Sequence, residues 1–75
     1  MKLNYYPETD QLYIDLAEGV AAETIEVAPD FLLDLDSTGK VIGIDIDHAR
    51  SKVDLDRVVL SRIPGAVQTV ANETA

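Results

Sequence analysis

Residues 2–16 read KLNYYPETDQLYIDL, and this stretch decides the fold because polar and apolar side chains alternate on both sides of a short turn. Alternation with a period of two is typical of β-strands that bury one face. The turn, PETD at residues 7–10, contains a proline that presets φ and an aspartate that can bond nearby backbone. This spacing places Leu3 opposite Ile14. A one-residue slip would mix the two faces, so the sequence predicts an antiparallel hairpin in this register.

Three further stretches alternate in the same way, around residues 23–27, 31–36 and 41–47, and turn residues separate them. After residue 47 the period changes to that of a helix, with Asp54 as a possible N-cap and Pro64-Gly65 as a stop. We therefore expect an α+β domain, mainly β. It has five antiparallel strands in meander order and one short C-terminal helix on one face of the sheet.

The expected helix runs from about residue 54 to residue 62, which closes a single strand-rich domain over residues 1–65. Residues 66–75 have weak periodicity, and we expect a frayed tail there. One domain fits a chain of 75 residues with a hydrophobic fraction of 47%. We expect a cytoplasmic protein, because the chain has no cysteine and no apolar run of the signal-peptide or membrane-spanning kind.

The charge is strongly acidic and unevenly distributed. Residues 1–47 carry eleven acidic residues against two lysines, a net charge of −9, whereas residues 48–75 carry a net charge of +1. Nucleic acids and anionic membranes are bound mainly through Lys and Arg, so neither is an expected partner. The acidity either keeps a small protein soluble or suits a basic protein partner.

Acidic residues surround the predicted turn between the fourth and fifth strands. Counted as an EF-hand loop, Asp34, Asp36 and Thr38 take the first three side-chain ligand positions, Gly39 the bend and Asp45 the last ligand position. An EF-hand needs flanking helices, whereas strands flank this loop, and acidic residues before a glycine are also ordinary turn chemistry. We expect no cofactor and no metal, and keep a divalent-metal or small-ligand site at Asp34, Asp36 and Asp45 as the alternative.

A second cluster combines Asp45 and Asp47 with the single histidine, His48. Two carboxylates on one strand face could share a proton or a metal ion. A hydrolase would need a nucleophile beside the imidazole, and no motif places Ser51 or Ser61 in that role. We expect a solvated strand end, no catalytic residues and no enzyme.

Four large side chains fall on the face that the alternation assigns to solvent. Tyrosine is favoured in protein interfaces, although cross-strand tyrosines also stabilise hairpins without binding anything. The candidate interaction surface consists of Tyr6, Tyr13, Leu32 and Val41.

The segment YYPETDQLYI at residues 5–14 resembles the opening signature of a bacterial family of small domains of unknown function, numbered 2283. The signature runs Tyr-Asp-x-Glu-x-Asp-x-Leu-Tyr-Ile. The second half of the family pattern resembles LDLD at residues 33–36, leading to Gly39, and GIDI at residues 43–46. Tyr6 stands where the family has Asp, Asp30 where Gly is expected, and Asp45 where Glu is common.

The resemblance covers about residues 1–50 and implies a compact, strand-rich bacterial domain without an established activity. It also implies a hint of function, since some members are encoded beside small toxin-like proteins. We expect a non-enzymatic, acidic protein-binding module that neutralises a basic, toxin-like partner.

We also expect a homodimer, on an argument from size. Five strands about 4.8 Å apart make a sheet roughly 20–25 Å wide, whereas a nine-residue helix is only about 13 Å long. Such a helix covers about half of the apolar face. A second copy is the simplest cover for the rest.

Overall fold

The computed structural model describes residues 1–70. It contains five antiparallel strands in one sheet, as the alternation predicts, and one short helix. The elements are β1 (Lys2–Tyr6), β2 (Gln11–Asp15), β3 (Glu23–Ala28), β4 (Phe31–Leu35), β5 (Val41–Ile46) and α1 (Ala49–Lys52).

The first hairpin has the predicted register. Leu3 pairs with Ile14 and Tyr5 pairs with Leu12 on one face of the hairpin. The polar residues between them lie on the other face. Asp10 ends the turn with a positive φ of 55°. The left-handed region is accessible to aspartate at a modest energetic cost, so this turn does not require glycine.

The predicted meander order is wrong. The spatial order is β1-β2-β5-β4-β3, so β2 pairs with β5 instead of β3. Strands β3, β4 and β5 are joined by hairpins, and β2 returns beside β5, which is a Greek-key arrangement. As a result β5 lies in the centre of the sheet and β3 lies at its edge.

The connection between β2 and β3 makes this order possible. Residues 16–22 cross the end of the sheet, where the Leu16 and Ala17 amides donate to the Ile42 carbonyl and the Ala22 amide donates to the Leu35 carbonyl. Seven residues can span about 23 Å, more than the roughly 15 Å between β2 and β3 across two intervening strands. The central strand of the sheet is β5, the strand that contains the most isoleucine.

The predicted helix over residues 54–62 is also wrong. The helix is α1, five residues earlier, and residues 53–70 contain neither helix nor strand. Nine residues are too few for a helix to be stable without a packed face. Val58 and Val59 have exposed fractions of 63% and 62%, so the sheet does not supply that packing.

The sheet has an apolar face and a polar face, and two rows of side chains cross all five strands on the apolar one. One row is Tyr5-Leu12-Ile46-Phe31-Ala28, and we call it the covered row because its first four residues pack with Ala49, Val53 and Leu55. The other, Leu3-Ile14-Ile44-Leu33-Ile25, we call the open row. Among residues 1–70, the buried large side chains are Leu12, Ile42 and Ile46.

Over residues 1–70 the helical part of the structure is limited to α1, and the structure has no helix whose length and apolar character would let it cross a membrane.

Candidate functional site

A chain of hydrogen bonds crosses four strands on the polar face. The Tyr13 hydroxyl of β2 donates to Asp34 Oδ2 of β4 at 2.6 Å, and Thr24 Oγ1 of β3 donates to Asp34 Oδ1 at 2.6 Å. Between β2 and β4 the tyrosine ring passes over Gly43 of β5, where a Cβ atom would lie 2.7 Å from the ring carbon Cζ. Only glycine leaves room for this ring, so Gly43 and Tyr13 form one structural unit.

This chain shifts the acidity of both partners. The hydroxyl bond to Asp34, burial and the nearby carboxylates raise the pKa of Tyr13 to about 12. Hydrogen bonds from Thr24 and from Tyr13 lower the pKa of Asp34 below its usual value. Both shifts favour a neutral phenol bonded to a charged carboxylate near pH 7.

We expect the free energy of unfolding to fall at alkaline pH, because the Tyr13 hydroxyl ionises at a lower pH in the unfolded chain than in the folded one. Since the folded-state pKa is raised from 10.0, its contribution is complete below pH 10 and is lost as the pH rises through about 12. The loss should be about 1–2 kcal/mol after allowance for solvent screening. Urea unfolding between pH 8 and 12 measures it. In Tyr13→Phe the decline over this range should be smaller by that amount, and an unchanged decline would contradict the assignment.

The three carboxylates of the alternative metal site do not converge. Asp34 binds Tyr13 and Thr24. Asp45 Oδ1 accepts a hydrogen bond from Gln11 Nε2 at 2.9 Å. Within residues 1–70 the structure brings together no group of three or more His, Cys, Asp or Glu side chains that could hold a metal ion.

Asp36 organises its own turn. Its Oδ1 accepts bonds from the Thr38 hydroxyl at 2.6 Å, the Thr38 amide at 2.8 Å and the Lys40 amide at 3.0 Å. These bonds, led by that of the hydroxyl, lower the pKa of Asp36. The Asp36 carboxylate before Gly39 therefore stabilises a hairpin turn, which is the alternative to the EF-hand interpretation of this segment.

The second acidic cluster forms only in part. Burial, followed by the repulsion from Asp45, raises the pKa of Asp47. His48 turns away and places Nδ1 3.1 Å from Asp30 Oδ1. The Ser51 hydroxyl donates to the His48 backbone carbonyl at 2.9 Å, so it is not aimed at the imidazole. Ser51 and His48 therefore do not form a nucleophile–base pair.

Two polar clamps that the sequence did not indicate fasten α1 to the turns at one end of the sheet. In the first, Asp10 Oδ1 accepts bonds from the Tyr5 hydroxyl at 2.9 Å and the Arg50 amide at 3.1 Å. Arg50 Nε donates to the same tyrosine hydroxyl at 2.9 Å. The Ala49 amide donates to the Asp10 carbonyl at 2.9 Å, which seats the buried Ala49 on the sheet.

The second clamp is centred on Asp30. Its carboxylate lies 3.1 Å from His48 Nδ1 and 3.5 Å from Lys52 Nζ, and the bond to His48 is the main cause of its lowered pKa. Asp30 adopts a φ of 69°, in the left-handed region that favours glycine. This accounts for the glycine expected there from the resemblance. In this chain an aspartate accepts the backbone cost and contributes a carboxylate to the clamp.

The structure places the four predicted interface residues at different points of the sheet. Tyr6, exposed by 48%, lies at the end of the first hairpin beside an open depression of about 460 Å³. Tyr13 is engaged over Gly43, and Leu32 pairs with Asp45 and with Glu26. A bulge places Val41 opposite Leu35, a residue of the apolar side.

The polar face has instead an acidic surface that we define by three side chains. Asp15, Glu26 and Asp45 belong to two rows that cross the sheet, in which the only cation is Lys2 at the edge. Individually these carboxylates were visible in the sequence. Their grouping was not, because it depends on β2 lying beside β5.

Comparison with known protein families matches the part of the chain that contains the sheet. The model of a family described as "Protein of unknown function (DUF2283)" matches residues 2–50, from the start of β1 into α1. No curated protein and no solved structure matches the chain.

Proposed function

We propose that this chain, which belongs to the DUF2283 family of proteins of unknown function, is a non-enzymatic module that binds a basic protein. The observation that carries the proposal is the acidic surface of Asp15, Glu26 and Asp45 on one face of the sheet. The ends of the sheet carry further acids, and residues 1–47 have a net charge of −9.

Electrostatic complementarity depends on where the charges of a surface are held. Asp45 is held by Gln11, and it lies between Tyr13 and Leu32 in its row. Carboxylates flanked by an aromatic and an aliphatic side chain suit the lysine and arginine stems of a basic surface. The charge speeds the encounter, and the apolar neighbours add contact area.

The specific form of the proposal is neutralisation of a small, basic, toxin-like protein in the cytoplasm. The resemblance supplies the toxin-like partner, and the absence of cysteine supports a reducing compartment. No metal or cofactor enters this role.

The test is capture of partners from the native host, followed by mass spectrometry. The bait variant Asp15→Asn/Glu26→Gln removes two charges from the acidic surface. The control variant Glu8→Gln/Glu18→Gln removes two charges from exposed loops. We expect one basic protein with the wild type and the control, and a loss of affinity of about tenfold or more with the surface variant. Recovery of the bait alone, or equal recovery with both variants, contradicts the proposal.

A further inference from the structure

The open row is an uninterrupted line of five aliphatic side chains that nothing in the described chain covers completely. Leu3 and Ile25, at its two ends, are exposed by 45% and 41%, and the three residues between them are half-buried. Ile44, on the central strand, is the midpoint of the row. At the strand spacing of about 4.8 Å, the row is roughly 19 Å long.

The total surface of the chain is too large for a compact monomer. A monomer of 8.2 kDa is expected to expose about 4,500 Å². The chain exposes 6151 Å². The extended C-terminal segment, residues 53–70, and the exposed ends of the open row both contribute to the excess of roughly 1,600 Å².

The distribution of charge indicates which partner fits. Neither the open row nor the covered row contains a charged side chain, whereas the acidic surface lies on the opposite face. A partner on the open row therefore needs a flat, uncharged, aliphatic surface of similar length. A second copy offers that surface and keeps the two acidic surfaces directed outward, where salt screens their repulsion.

We propose that two copies of this chain pack their apolar faces together through the open row, about a two-fold axis near Ile44. In this arrangement the two sheets face each other across their open rows, beside the part of each face that α1 covers. This inference goes beyond the proposed function, since it uses the other face of the sheet and needs no basic partner. The dimer would present two acidic surfaces on opposite sides.

The first measurement is sedimentation equilibrium of the full chain from about 1 to 100 μM, a range that populates a dimer of micromolar affinity. We expect twice the 8.2 kDa chain mass at the upper end. A monomer mass throughout, with a cooperative melt, overturns the proposal.

Matched variants then locate the interface. Leu3→Asp adds a charge to the open row, and Asn4→Asp adds the same charge one residue later on the polar face. Because a two-fold axis buries two copies of each change, Leu3→Asp should raise the dissociation constant by about 100-fold or more. Asn4→Asp should leave it within about threefold. Ile25→Asp, at the other edge, repeats the test on a different strand.

A dimer that persists in both open-row variants places the contact elsewhere and overturns the proposal. If either variant fails to fold, the wild type still decides. In a dimer of mixed isotope labelling, methyl NOEs between subunits should connect Leu3, Ile25 and Ile44. Their absence from a proven dimer also overturns it. Partner capture with the acidic-surface variants is read separately, so either idea can fail alone.

Discussion

Replacing Gly43 with alanine is expected to lower the free energy of unfolding by about 2 kcal/mol, although it adds only one methyl group. The new Cβ would collide with the Tyr13 hydroxyl and lie 2.7 Å from Cζ. The ring must leave the surface of β5, which breaks the bond to Asp34 and exposes the ring. The intrinsic preference of a strand for alanine over glycine offsets only part of this cost. Urea unfolding measures the difference.

A double-mutant cycle isolates the cause. In a Tyr13→Ala background the ring is already absent, so Gly43→Ala should cost close to zero, and the coupling energy should approach 2 kcal/mol. Gly65→Ala is the matched control, because a Cβ there would meet nothing within 4 Å. An additive cycle, or a Gly43 variant as stable as the Gly65 variant, would show that the ring does not constrain this position.

The first hairpin could be predicted because its information is local. Two alternating segments and a four-residue turn leave one register that keeps Leu3 and Ile14 on one face, and the structure has that register. The strands that follow are equally local. Each needs only its own alternation and a turn at both ends.

Strand order could not be predicted in the same way, because β3 and β5 carry the same alternation and either could extend the sheet from β2. The signals that favour β5 concern contacts between strands. Gly43 in a strand interior marks a close approach, here of Tyr13, and the two glutamates of β3 suit an edge. A meander needs the shortest connections between strands. The seven-residue crossover is long enough to place β3 at the far edge of the sheet, so β2 can pair with β5 instead.

The predicted helix over residues 54–62 is wrong for a related reason. Residues 54–62 have helical spacing, but residues 56–62 are exposed and form no packed face, whereas α1 is too short to be seen as a pattern. It forms because tertiary contacts hold it. Asp10 accepts hydrogen bonds from the Ala49 and Arg50 amides. The Asp30 carboxylate contacts one side chain at the start of α1 and another at its end. No local periodicity encodes such contacts.

The polar face combines both cases. Alternation placed Asp34 and Asp45 on one face, and the structure agrees. Their partners come from strands 10 to 34 residues away, namely Thr24, Tyr13 and Gln11. A carboxylate whose oxygens are already bonded differs chemically from one that is available for a metal, and only the folded arrangement distinguishes the two.

Replacing Ile46 with alanine is expected to cost about 3 kcal/mol, the largest effect that we predict for a single side chain. Ile46 is only 5% exposed and lies between Leu12 and Phe31 in the covered row, directly under Ala49. Its truncation leaves a cavity that the sheet cannot close. A domain of this size has about 4–11 kcal/mol of stability in total, so the variant loses a large part of it.

Ile25→Ala is the matched control, since it deletes the same atoms from a side chain that is 41% exposed. It should cost less than about 1 kcal/mol in the monomer, where those atoms are already partly in water. Ile46→Val, which removes one methyl group, should fall between at about 1 kcal/mol. Urea unfolding should be run below the dimer dissociation constant, because the loss of the open-row contact would otherwise add to the Ile25 value. Equal losses for Ile46→Ala and Ile25→Ala under those conditions would mean that α1 does not shield the covered row. The division of the apolar face into a covered row and an open row would then be wrong.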